Sequence, residues 1–145
     1  MIAPQENLIL HASCVAVQSK GVLILGPSGS GKSALALQLM ALGADLVADD
    51  RTAVTVENGG VMARSPASIR GLIEARGIGI LRVPALPHVR LALVVDLGQT
   101  EPDRLPPRRH VSIAGIEIDL VRGPISGHLS AAVLCYLKGN GRNDG

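Results

Sequence analysis

Between the apolar run Val22-Leu23-Ile24-Leu25 and an Ala- and Leu-rich stretch from Lys32 to Leu42, the chain carries Gly26-Pro27-Ser28-Gly29-Ser30-Gly31-Lys32-Ser33. This is a G-x-x-x-x-G-K-[ST] pattern set between a strand signal and a helix signal, and Gly43 stops the helix. The order strand, glycine loop, helix commits the chain to an α/β fold. The glycines let the backbone turn so that successive N–H groups face phosphate oxygens. Lys32 reaches the β- and γ-phosphates, and the Ser33 hydroxyl is placed to ligate Mg²⁺. The positive end of the helix dipole adds to the attraction. All eight residues from Gly26 to Ser33 are therefore expected to hold a nucleoside triphosphate.

A length of 145 residues suits one domain, large enough to bury roughly 70% of the surface its unfolded chain exposes. The expected domain spans residues 1–138, followed by a disordered tail over 139–145. Tyr136 is the lone aromatic residue, so the core must be built from Val, Leu, Ile and Ala, a composition that suits buried strands. The net charge is +2 with both signs interspersed, which speaks against nucleic acid as a partner. The N-terminus lacks a basic-then-apolar leader and no apolar run reaches membrane length, so a soluble cytoplasmic protein is expected. Cys14 and Cys135 lie in apolar surroundings without metal-ligand spacing and are read as two buried small hydrophobes.

Leu8 to Val17 reads as one strand, turned at Gln18 to Gly21 to pair with the strand before the glycine loop. A short strand ends at Ala48, and Thr52–Glu57 and Val61–Arg64 flank Asn58-Gly59-Gly60, a hairpin signal. Ser65 is expected to cap a short helix opened by Pro66. Gly71 to Gly79 reads as a charged, glycine-rich loop before strands at Ile80–Val83 and Val89–Val95. Gln99 to His110 reads as a long surface loop, Val111 to Val121 as a hairpin, and Ser126 to Leu137 as a helix. Hairpins outnumber strand-helix-strand units, so the sheet is expected to be mixed.

Two acidic positions follow apolar strands: Asp49-Asp50, and Asp96. By pattern alone Asp96 fits an ordinary metal site. Asp49-Asp50 is the odder pair, because adjacent carboxylates repel and successive strand positions point opposite ways; one of the two can face a γ-phosphate.

From roughly Leu8 to Leu137 the chain resembles the catalytic C-terminal domain of the HPr kinase/phosphorylase family. The resemblance rests on His11, on Gly26 to Ser33, on Leu46-Val47-Ala48-Asp49-Asp50, and on Glu74-Ala75-Arg76-Gly77-Ile78-Gly79-Ile80, which looks like the signature E-x-R-G-[LI]-G-[LI]. Asp103-Arg104-Leu105 is similar to a further segment carrying a catalytic arginine. Two departures from the family are expected: a chain without its usual N-terminal domain, and Leu120 to Ser126 in place of P-V-R-P-G-R-N, keeping only Val121 and Arg122.

The resemblance implies an HPr kinase-like P-loop fold, ATP and Mg²⁺ as cofactors, and an HPr-type phosphocarrier protein as partner. It also implies a homo-oligomer, typically a hexamer. In such a serine kinase Asp50 would be the base beside Asp49, Lys32 would hold the phosphates, Ser33 and Glu74 would ligate Mg²⁺, and Arg104 would stabilise transition-state charge. His11, by itself more often a core histidine, becomes an active-site residue by the resemblance. Arg76 is either a functional cation or a partner of Glu74. Arg108, Arg109 and His110 read as a solvated loop, and Arg122 and His128 as secondary phosphate contacts. With one family arginine lost, the departures imply a bias toward kinase over phosphorylase activity, the latter depending on Arg122. Two other functions fit a P-loop: an ATPase or small-molecule kinase, and a nucleotide-binding regulatory module without turnover.

Overall fold

Val89 to Val95, the longest mostly β-branched and leucine run, becomes the strand that joins the fold together. The computed structural model describes residues 8–139 and 141–143. The elements are β1 (Leu8–Leu10), β2 (Ala12–Val17), β3 (Lys20–Leu25), α1 (Lys32–Ala41), β4 (Asp45–Ala48), β5 (Thr52–Glu57), β6 (Gly60–Arg64), β7 (Leu72–Ala75), β8 (Gly79–Arg82), β9 (Val89–Thr100), β10 (Arg109–Ile113), β11 (Ile116–Gly123) and α2 (Leu129–Lys138). Along one edge β9 pairs parallel with β3; along the other it meets β6 antiparallel at its start and β11 parallel further on. The sheet continues through β3-β2-β4 on one side and β6-β5-β1 on the other, while β10 pairs with β11. The fold is the mixed α/β sheet with hairpins expected from the pattern.

Because β2 runs antiparallel to both β3 and β4, the strands β3, β4, β9 and β11 all point the same way. Their carboxyl ends meet along one edge, the place where open α/β sheets bind ligands.

Strand alternation builds two apolar layers. Val15, Val22, Ile24, Leu93 and Val95 pack against Leu35 and Leu39 of α1 and Val133 and Leu137 of α2. Cys14, Leu23 and Val94, on the other face, meet Val54, Val61 and Ile118. Each leucine or isoleucine so buried stabilises the fold by about 1.5–3 kcal/mol. Among the described residues no helix is long and apolar enough to cross a membrane.

Turn chemistry was decisive where it was clear. Asn58 (φ 52°) and Gly59 (φ 77°) close the β5–β6 hairpin in the left-handed region, as a two-residue type I′ turn requires. At the end of α1, Gly43 (φ 109°) donates to Met40 and Ala44 donates to Leu39, the paired bonds of a Schellman cap.

Several expectations need correction. Leu8 to Val17 is not one strand: it breaks at His11, with β1 pairing to β5 and β2 to β3 and β4. The segment Gly71 to Gly79 is not a loop but most of the β7–β8 hairpin, since Ile73 and Ala75 alternate inward and Gly77 (φ 87°) makes the turn. Pro66, not Ser65, occupies the cap of the short 3₁₀ turn Ala67–Ile69, and the Ser65 hydroxyl donates to the Pro66 carbonyl. Strand β9 runs past Val95 to Thr100, which shortens the following loop. Cys14 is buried, its thiol pushed well up by desolvation, but Cys135 is exposed on α2. The expected tail lies partly outside the described residues; within it Arg142 donates to the Pro106 carbonyl at 2.7 Å.

Candidate active site

The loop Gly26–Ser33 joins β3 to α1 at the carboxyl edge of the sheet. Gly26 has φ 151°, a backbone conformation that favours glycine, and a Cβ there would press on the Ser30 side chain. Gly31 (φ 103°) occupies the helix cap without a side-chain hydrogen bond, and the first turn of α1 carries no acidic residue. The N–H groups at the helix start are therefore left for an anion. Lys32 is nearly buried, and its Nζ donates to the Gly26 and Pro27 carbonyls at 2.8 and 3.2 Å. The Ser30 hydroxyl is buried without a hydrogen-bond partner.

Asp49 and Asp50 leave β4 beside this loop and divide sharply in environment. Asp49 is 5% exposed and meets three donors: Ser13 Oγ and Ser33 Oγ at 2.7 Å on Oδ1, and the Glu74 N–H at 3.0 Å on Oδ2. Asp50 is exposed and sits at φ 69°, left-handed backbone that costs a non-glycine residue roughly 1–3 kcal/mol. Neighbouring bonds hold it there: Ala12 N–H to the Asp50 carbonyl at 3.1 Å and Arg51 N–H to the Asp49 carbonyl at 2.8 Å. Such strain collects at functional sites. Side chains from both sides line one cleft of about 290 Å³: Lys32 and Ser33 from the helix start, Asp50, Glu74 and Arg76 from the opposite wall.

His11 stands at the break between β1 and β2, with Nδ1 4.0 Å from Asp50 Oδ1, both side chains largely exposed. It is an exposed partner of Asp50, not a core histidine. Arg76 lines the cleft together with Glu74. The other candidates lie elsewhere. Arg104 is exposed in the loop between β9 and β10 and does not line the cleft. Asp96 lies within β9, its carboxylate engaged by the Gly98 N–H and the Gln99 amide at 2.8 Å. His128 caps α2, 3.4 Å from Ser126 Oγ. Arg109 and His110 belong to β10, and both are paired, with Glu101 at 2.8 Å and Asp119 at 3.2 Å.

Arg122 lines a different cavity, of about 440 Å³, between β11, α2 and the β9–β10 loop. Its charge acts there on Glu101, whose carboxyl is held below its ordinary value mainly by the Arg109 hydrogen bond. In the same cavity burial, then the bond to Asp119, pushes the Tyr136 hydroxyl up. Ser13 was missed by sequence reading. Its one signal was a hydroxyl inside the apolar run Ala12 to Val17, and only the strand register shows what it faces.

Residues 2–136 match the family described as HPr Serine kinase C-terminal domain. The HPr kinase/phosphorylase of Aromatoleum aromaticum is 39% identical over 147 residues, covering 89% of this chain and 46% of that protein. That of Geobacillus sp. is 41% identical over 103 residues, covering 66% of this chain and 33% of that protein. The chain thus spans at most about half the length of these relatives. The solved structure of the HPr(Ser) kinase/phosphatase from Coxiella burnetii superimposes with a TM-score of 0.77 at 28% identity, over 90% of this chain and 94% of that one.

Proposed function

The chain belongs to the HPr serine kinase C-terminal domain family, and from that premise we propose that it is a cytoplasmic kinase that phosphorylates a serine of an HPr-type phosphocarrier protein with ATP. One observation carries the proposal: the cation and hydroxyl of the glycine loop, Lys32 and Ser33, open on the same cleft as the exposed carboxylate of Asp50.

The residues fit the cofactors. The uncapped helix start, the glycine-turned loop and the unpartnered Ser30 hydroxyl suit a triphosphate. No cluster of three acidic, His or Cys residues able to hold a metal alone occurs among the described residues. Mg²⁺ bound through one or two protein oxygens together with substrate phosphates needs no such cluster. Ser33 and Glu74, which line the cleft, are the residues that would hold it, and when bound it would neutralise charge on the β- and γ-phosphate oxygens.

Transfer forms a bond between the serine oxygen and the γ-phosphorus as the bond from that phosphorus to the bridging oxygen of ADP breaks. Asp50 takes the hydroxyl proton, Lys32 offsets charge on the phosphates, and the buried Asp49 orients Ser33. Arg76 supplies a second cation at the cleft, and His11 steadies Asp50. In reverse, an oxygen of inorganic phosphate attacks the phosphoserine phosphorus as its bond to the serine oxygen breaks, Asp50 returns the proton to that serine oxygen, and pyrophosphate is the product. The functional form is a homo-oligomer, a hexamer by family resemblance, in which Arg104, remote from the cleft of its own chain, can serve a neighbouring one.

The test is incubation with γ-labelled ATP, Mg²⁺ and purified HPr-type protein, followed by mapping of the label. Phosphoserine on the carrier is the expected product. ATP hydrolysis with no label on the carrier would replace the kinase with an ATPase.

A further inference from the structure

Ser13 is the fully buried hydroxyl on the face of β2 that otherwise presents Val15 and Val17 to the helices. Buried hydroxyls are retained when they are hydrogen-bonded, and this one is used twice. Its single proton goes to Asp49 Oδ1 at 2.7 Å, and its oxygen receives the Asp50 N–H at 3.4 Å. One side chain therefore touches both members of the acidic pair while lining no part of the cleft itself.

We propose that Ser13 is a positioning residue that sets the Asp49 carboxylate toward Ser33 and fixes the backbone turn that presents Asp50. Asp49 Oδ1 is shared between Ser13 and Ser33, so the Ser13 bond holds the carboxylate rotamer that accepts the Ser33 hydroxyl. The second bond acts on the turn. Asp50 stands at φ 69° just past the end of β4, so its N–H lies outside the ladder between β2 and β4. The Ser13 oxygen receives that N–H, and the adjacent Ala12 N–H holds the Asp50 carbonyl. Two consecutive residues of β2 thus hold the peptide groups on either side of Asp50. Alanine at 13 would leave Asp49 with one fewer donor and the Asp50 N–H without its acceptor.

This inference rests on the kinase proposal for its catalytic readout, so a binding readout is measured beside it. Ser13→Ala, Ser13→Cys, which keeps the volume but is a weak donor, and Ser13→Thr, which keeps the hydroxyl, are compared with wild type. Measured quantities are Mg²⁺-dependent affinity for a fluorescent ATP analogue without acceptor, kcat and KM for transfer, and the melting midpoint of the free protein. Outer-shell partners of this kind alter metal affinity or activity by about 10- to 100-fold. The expected result is a loss of that size for Ser13→Ala and Ser13→Cys in Mg²⁺-linked affinity and kcat, with KM for the carrier within about 2-fold, and recovery in Ser13→Thr. Wild-type Mg²⁺ linkage in Ser13→Cys overturns the proposal. So does an equal loss in all three variants that follows their melting midpoints, which would make Ser13 a packing residue. Should wild type transfer no phosphate to the carrier, the kinase reading fails, while the Mg²⁺-linked affinities still decide the role of Ser13.

Discussion

At the scale of single residues, charge and backbone strain make separable predictions. Lys32 is held in the glycine loop by two carbonyls, outside both apolar layers, so Lys32→Ala removes the phosphate cation without opening the core. Transfer should become undetectable while the circular dichroism spectrum stays that of wild type; unchanged turnover would mean that the loop is not the active site. Asp50→Asn keeps the shape and tolerates a left-handed φ but cannot take a proton. Transfer should fall by roughly two to four orders of magnitude with nucleotide affinity spared. Asp50→Gly should be inactive as well, yet more stable by about 1 kcal/mol, because glycine adopts φ 69° without strain. Loss of activity in Asp96→Asn but not in Asp50→Asn would move the chemistry to β9, against the engagement of Asp96 by Gly98 and Gln99 of its own strand.

Among elements, the β9–β10 connection is held by the bidentate pair of Arg109 with Glu101, at 2.8 and 2.9 Å. Because the Glu101 carboxyl is held below its ordinary value of 4.5, the pair contributes stability above that value. The contribution is lost as the pH falls through the lower folded-state value. Denaturant midpoints of wild type and Glu101→Gln should therefore differ near neutrality and converge in acid; a constant difference at every pH would rule out the ion pair as its source. How far such elements could be read from sequence depended on how local their causes are. The glycine-loop strand, the Asn58-Gly59 hairpin and the Gly43 helix stop have causes within a few residues, and all three were legible. The β7–β8 hairpin was not, because glycine and charge masked a four-residue alternation. Which arginines reach the cleft is set by long-range pairing: Arg76 arrives on β7–β8 and Arg122 is carried into another cavity, a difference that no spacing records. Ser13 lay hidden for the same reason, since a polar residue in a strand says nothing of its cross-strand neighbour.

Over the whole molecule, the core and the site draw on different residues, which lets ligand binding and folding be told apart in one experiment. Leu93 is fully buried at the centre of β9, between Val22 of β3 and Asp119 of β11. Leu93→Ala should cost about 2–5 kcal/mol without touching the cleft. A ligand that binds only the folded protein returns about 2.7 kcal/mol at a hundred times its Kd. Mg²⁺ and ATP at that excess should therefore restore much of the loss in Leu93→Ala, measured as the denaturant midpoint. In the double variant Leu93→Ala, Lys32→Ala the same addition should restore almost nothing, because the cation that distinguishes the loaded from the empty loop is gone. Equal rescue with and without Lys32 would show that nucleotide stabilises the fold from some other surface, and the cleft at the carboxyl edge of the sheet would lose its claim to be the binding site.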